Sequence, residues 1–274
     1  NNPFRNWDLS SLEHLDVAFG GSEIPSDFTL GQLVTLKLKT ADGMFAGCIF
    51  DSGHTNFISQ WNRIGSAPVS LRGMFTGSYD TAQFTYGGWP SRTPATNYAD
   101  LTGFQTFLSI IPHGFDMSFF FAGYAGSDVS DLLGASTWGH KIDGIFAYSK
   151  IENTYGLNGI GSRCVSAAGA FCGCKALTDI SDIGSSDMGA CEDIRSMFGY
   201  PSSYSDQLSV VGYADPVSRW NTQSLKTCSY AFYCAGSYGL TDYGYSGLIW
   251  QIPAIYLLNA WSHSAIVSDR QMIS

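Results

Sequence analysis

From Leu33 to Lys39, the apolar Val34, Leu36 and Leu38 alternate with Thr35, Lys37 and Lys39, which predicts a half-buried strand. Ala41-Asp42-Gly43 reads as a turn, and Met44 to Phe50 is almost wholly apolar and reads as a second, buried strand. Together they predict a hairpin over residues 33–50. Val69 to Leu71 and Met74-Phe75 carry short strand signals, and Thr106 to Ile111, Met117 to Gly123 and Ile145 to Tyr148 read as further apolar strands. Two stretches read as helices. One is short, around Leu9 to Leu15. The other is Ala190 to Phe198, where Ile194, Met197 and Phe198 fall at helical spacing and Gly199 supplies a stop.

Composition narrows the class. Of 274 residues, 45% are apolar and only 14% charged, with 31 Gly, 15 Tyr and 18 Phe. That balance suits a β-rich, turn-rich extracellular or virion-type protein with a sizeable core. The net charge of −9 and the absence of a basic cluster argue against nucleic acid as a partner. No run of 18 apolar residues predicts a membrane span; the longest stretch, Leu248 to Trp261, is interrupted by Gln251, Pro253 and Asn259. Asn1 reads as a processed or trimmed start.

Six of the seven cysteines lie after residue 160. Cys48, inside the apolar stretch, is expected to be a buried free thiol. Cys228 and Cys234 enclose five residues and are expected to bridge, in keeping with an oxidising, secreted setting. Neither the cysteines nor the five histidines show metal-ligand spacing, so no metal or other cofactor is expected.

Candidate chemistry begins at Asp51. A carboxylate at the end of an apolar strand, followed by Ser52, Gly53, His54 and Thr55, needs hydrogen bonds to stay ionised. Cys48 to Phe57 resembles the first active-site motif of the pepsin-like aspartic peptidases, an apolar strand running into Asp-Thr/Ser-Gly-Ser/Thr, with His54 as the departure. Tyr86 in Phe84-Thr85-Tyr86-Gly87-Gly88-Trp89 resembles that family's flap, and Leu132-Leu133-Gly134 resembles the strand that crosses behind the active-site loop. The resemblance covers roughly residues 30–274 and is fainter in the second half.

That resemblance implies an all-β, bilobal acid-protease fold, with an N-terminal arm (1–30), an N-terminal β lobe (31–150) and a shortened C-terminal β lobe (151–274). Leu36, Phe45, Ile49, Leu132 and Leu133 should then be buried. Another extracellular or virion β-sandwich is the alternative. Two positions compete for the second catalytic Asp: Asp182, followed by Ile183-Gly184-Ser185, and Asp179, followed by Ile180-Ser181. Both put Ile where the family has a hydroxyl that cross-links the two loops. Displacing a catalytic pair by ~1 Å costs ~100-fold in rate.

The damaged second motif points to a non-catalytic pepsin-like protein, secreted, that binds a protein or peptide ligand or assembles with other chains. Two alternatives stand beside it. One is an active aspartic endopeptidase, in which Asp51 and Asp182 (or Asp179) share a proton and activate water beneath Tyr86. The other is a virion or adhesin structural protein.

Overall fold

A computed structural model of the chain describes residues 6–29, 34–35, 37–51, 58–59, 63–64, 69–77, 95–110, 115–135, 138–161, 163–199, 220–228 and 231. Its backbone is organised by one ladder of parallel bridges. His14 pairs with Thr40, Thr40 with Ser70, and the series continues through Asp116, Lys141, Ser166 and Asp193 to Thr227. Each of these residues opens one coil of the chain, and Asp116, Lys141 and Ser166 stand 25 residues apart.

The ladder is built from turns. In the coil of Thr40, the N–H groups of Met44, Ala46 and Cys48 donate to the carbonyls of Ala41, Gly43 and Phe45 at 3.2, 2.9 and 3.2 Å. The alternate N–H groups, of Ala41, Gly43, Phe45 and Gly47, donate at 2.8–2.9 Å to Ser70, Arg72, Met74 and Thr76 one coil on. The same scheme joins Met117, Phe119, Phe121 and Gly123 to Lys141, Asp143, Ile145 and Ala147. From Gly43 to Cys48 every main-chain donor is thereby used, as a buried backbone requires.

Such a ribbon needs a left-handed residue three places after each bridge residue. Val17, Gly43, Gly73, Phe119, Gly144, Gly169 and Ser196 all have φ between 51° and 62°. A positive φ at the third position of a turn is the type II requirement, and glycine meets it at least cost.

Inward side chains follow the same register. The residue five places after the bridge is Phe in coil after coil, and the rings lie one above another. Phe19 stacks on Phe45 (centroids 5.3 Å apart), Phe45 on Phe75 (5.2 Å), Phe121 on Phe146 (5.2 Å), Phe146 on Phe171 (6.0 Å) and Phe171 on Phe198 (5.4 Å). Between Phe75 and Phe121 the column is filled sideways, with Phe104 edge-on to both at 4.9 Å. Phe104 belongs to the helix Phe104–Ile110, which buries Phe104, Phe107 and Leu108. Aromatic pairs at these separations add to the burial that drives stacking.

Several local expectations are corrected. The antiparallel hairpin over residues 33–50 is not formed. Strand β1 (Glu23–Ile24) pairs in parallel with β3 (Ile49–Phe50), and β2 (Val34–Thr35) with β4 (Arg63–Ile64). Met44 to Gly47, Met117 to Gly123 and Ile145 to Tyr148 are turns of the ribbon rather than strands, because a left-handed residue interrupts each. Thr106 to Ile110 is helical, and residues 190–198 carry the Asp193 bridge followed by a turn, with the nearby helix at Ser181–Gly184 instead. Phe45 and Leu132 are buried, but Ile49 and Leu133 are 53% and 58% exposed. Ile49 is the outward residue of a two-residue strand, and Leu133 caps a 3-10 turn with its carbonyl turned to Gln105. The ladder joins His14, in the expected arm, to the coils on both sides of residue 150. Leu36, Tyr86, the hairpin around it and the closing segment after 231 lie outside the described residues.

Candidate functional site

Polar chemistry is concentrated along the outer edge of the ladder, at the bridge residue and two places beyond it. Three carboxylates there make the same bracket. Asp16 accepts the Thr40 hydroxyl (2.7 Å) and the Asp42 N–H (2.8 Å); Asp42 accepts the Ser70 hydroxyl (2.5 Å) and the Arg72 N–H (2.9 Å); Asp143 accepts the Ser166 hydroxyl (2.5 Å) and the Ala168 N–H (2.9 Å). Each ties its coil to the next through an N–H that the ladder leaves over. Where the bridge residue is itself aspartate, it accepts from the N–H two places on, Asp116 from Ser118 and Asp193 from Arg195, and Asp116 also pairs with the Arg72 guanidinium one coil back at 3.2 Å. Burial pushes the Asp42 and Asp143 carboxyls above their ordinary range, against the bonds from Ser70 and Ser166.

The expected catalytic pair, Asp51 with Asp182 or with Asp179, is not brought together. Asp51 is exposed and directly follows β3, whose Phe50 exchanges both backbone groups with the side-chain amide of Asn97 at 3.1 and 3.0 Å. Its coil is that of Thr40. Asp179 and Asp182 lie in the coil of Ser166, four bridges further along. At the ~4.8 Å spacing of paired strands, those steps separate them by about 19 Å along the ladder.

Asp182 accepts the Gly156 N–H at 2.8 Å, one coil back. Asp179 accepts the Ser181 N–H and the Tyr155 hydroxyl, both at 2.8 Å. Burial raises the Asp179 carboxyl, but the Ser181 and Tyr155 bonds outweigh it and hold the group below its ordinary value. Asp179 also begins an Asx turn repeated at Asp128 and Asn153, whose side chains accept from Ser130 and Tyr155 N–H. Ser52, Gly53, His54 and Tyr86 lie outside the described residues.

The thiols have structural work. Cys48 donates to the Phe19 carbonyl at 2.9 Å and Cys174 to the Phe146 carbonyl at 3.0 Å, the place Ser149 fills toward Phe121 at 3.3 Å. Burial pushes the Cys48 and Cys172 thiols up to about 11 and about 12, which keeps them protonated and unreactive. Cys48 is a buried, unbridged thiol. The expected Cys228–Cys234 bridge falls on Cys234, outside the described residues.

Among the described residues, no group of three or more His, Cys, Asp or Glu gathers as a metal site, and no helix is long and apolar enough to cross a membrane. Exposed apolar side chains include Leu133 and Tyr155 (47% exposed), which sit at the same corner of neighbouring coils, with the Leu133 backbone against Gly156. The chain matches no protein-family model, no curated protein and no solved structure.

The stacked repeat is the feature that sequence reasoning missed. Its signal was present: Met44-Phe45-Ala46-Gly47, Met74-Phe75-Thr76-Gly77, Ala170-Phe171-Cys172-Gly173 and Met197-Phe198-Gly199 are variants of one phrase.

Proposed function

We propose that this chain is a non-catalytic scaffold of stacked coils that works outside the cell by binding a protein or peptide partner or by assembling with other chains. The observation that carries the reading is the employment of the polar groups. The candidate carboxylates Asp179 and Asp182 hold turns and coil contacts, and Asp42 and Asp143 hold rungs. Proton sharing needs two carboxylates within hydrogen-bond reach. Asp51 and Asp182 belong to coils four bridges apart. Repeat stacks of this kind present long surfaces whose side chains vary without disturbing the backbone, which suits recognition. The exposed corner of Leu133 and Tyr155 is such a surface. The low charge and the wealth of Gly and Tyr support an extracellular setting.

The test is digestion of an unbiased peptide library from pH 2 to 7, with Asp51→Asn and Asp182→Asn as controls. The reading expects no cleavage by a chain that circular dichroism shows to be folded. Cleavage that disappears in both variants would establish a peptidase and overturn it.

A further inference from the structure

Cys164 and Cys191 each stand two residues before a bridge residue, Ser166 and Asp193, and those two pair with each other. The two cysteines therefore occupy one register on adjacent coils. The ladder already holds this point, for Glu192 N–H donates to the Val165 carbonyl at 2.8 Å. Both side chains are buried, and each thiol donates to the carbonyl of the bridge residue two places on, Ser166 at 3.1 Å and Asp193 at 3.5 Å. The Cys191 thiol is near enough to add to the rise that burial gives the Cys164 thiol. In-register residues on paired strands are about 4.8 Å apart, inside the roughly 4.4–6.8 Å between Cα atoms that a disulfide spans.

We propose that Cys164 and Cys191 are a disulfide site, joining two adjacent coils when the chain folds in the presence of a disulfide donor such as oxidised glutathione. One cysteine thiolate attacks a sulfur of the donor and releases one glutathione. The second cysteine then displaces the other glutathione from the mixed disulfide. One S–S bond forms in the protein, one breaks in the donor, and the two cysteine protons pass to the two glutathione thiolates. Burial pushes the Cys164 thiol well up in the finished fold, so the exchange belongs to folding, before the coils close over the pair. Cys172 and Cys174 are poor competitors. They sit on one coil in different surroundings, Cys172 beside Phe119 and Cys174 on the Phe146 carbonyl.

The experiment refolds the full chain from reduced, denatured protein in a glutathione redox buffer, alkylates it in denaturant and maps it after trypsin. Cleavage after Arg163, Lys175 and Arg195 puts Cys164 and Cys191 on separate peptides, 164–175 and 176–195. The first also holds Cys172 and Cys174. The wild type is therefore mapped by fragmentation, alongside a Cys172→Ala, Cys174→Ser variant whose new residues match Ala147 and Ser149 one coil earlier. The expected result is a linked 164–191 peptide in both, and a urea midpoint that is higher than in reduced protein and falls back on reduction. Cys191→Ser should remove the link and the midpoint shift. Recovery of both cysteines alkylated, or of Cys164 joined elsewhere, from folded wild-type protein would overturn the proposal.

Discussion

The ring of Phe119 lies on the backbone of Gly144, one coil further along: a Cβ added to Gly144 would stand 2.4 Å from the ring. Gly144 itself has φ of 60°, so two demands meet at one residue, a left-handed turn and close approach. Tyr148 repeats the relationship on Gly173, where an added Cβ would meet its ring at 2.5 Å.

Gly144→Ala is therefore expected to cost ~2–5 kcal/mol, part from the left-handed backbone and part from overpacking. In a Phe119→Ala background the same change should cost less, since only the backbone part remains. Urea unfolding of the four proteins of this cycle checks it. Equal cost in both backgrounds would mean that the ring and the glycine do not meet.

Asp143 gives a pH-dependent prediction. Burial raises its carboxyl, with Asp193 and Asp116 adding repulsion, against the bonds from Ser166 and Ala168. The folded chain then holds this proton more tightly than the unfolded chain. Its contribution is favourable below the ordinary carboxylate range and is lost as pH rises through the raised folded value. Both bonds go to one oxygen, which an amide can supply. Asp143→Asn should match the wild type at low pH and exceed it at neutral pH. Asp143→Ala should lose ~1–3 kcal/mol at low pH by stranding the Ala168 N–H and the Ser166 hydroxyl, and less at neutral pH, where the wild type carries the buried charge. Thermal unfolding across the acid range checks both.

Phe146 sits between Phe121 and Phe171 in the ring column. Phe146→Ala should cost about 3–5 kcal/mol, the range for emptying a buried aromatic site. Equilibrium unfolding measures it, with the exposed Lys150→Ala as a near-neutral reference.

How much of this was legible in the sequence depends on the residue. Cys48 as a buried thiol and Phe45 in the core follow from their apolar stretch, whereas the resemblance put both Leu132 and Leu133 inside and only Leu132 is buried. The ladder was hidden by a coincidence of spacing. Its inward positions stand one, four and five places after the bridge residue, so Ile194, Met197 and Phe198 imitate the i, i+3, i+4 stripe of a helix. Turns closed three residues apart produce that stripe without any helix. Met44 to Phe50 imitates a strand because the ribbon buries Met44, Phe45 and Ala46 in succession, leaving no alternation to read. Unequal coil lengths obscured the repeat as well: Ser70 and Asp116, neighbours in the ladder, stand 46 residues apart. Asp51 had the right local sequence for a catalytic loop. What decides proximity to Asp179 or Asp182 is the number of coils between them, which no local motif encodes.

The separation of those coils can be measured directly. Spin labels carried by unnatural amino acids at Ile49 and Ser185, both exposed, would flank Asp51 and Asp182 and leave the native thiols untouched. Four bridges separate the two coils, so pulsed dipolar spectroscopy should find the labels at least about 19 Å apart, with a narrow distribution. A distance below roughly 10 Å would put the two aspartate loops side by side, as proton sharing between them requires, and would contradict the stacked-coil scaffold.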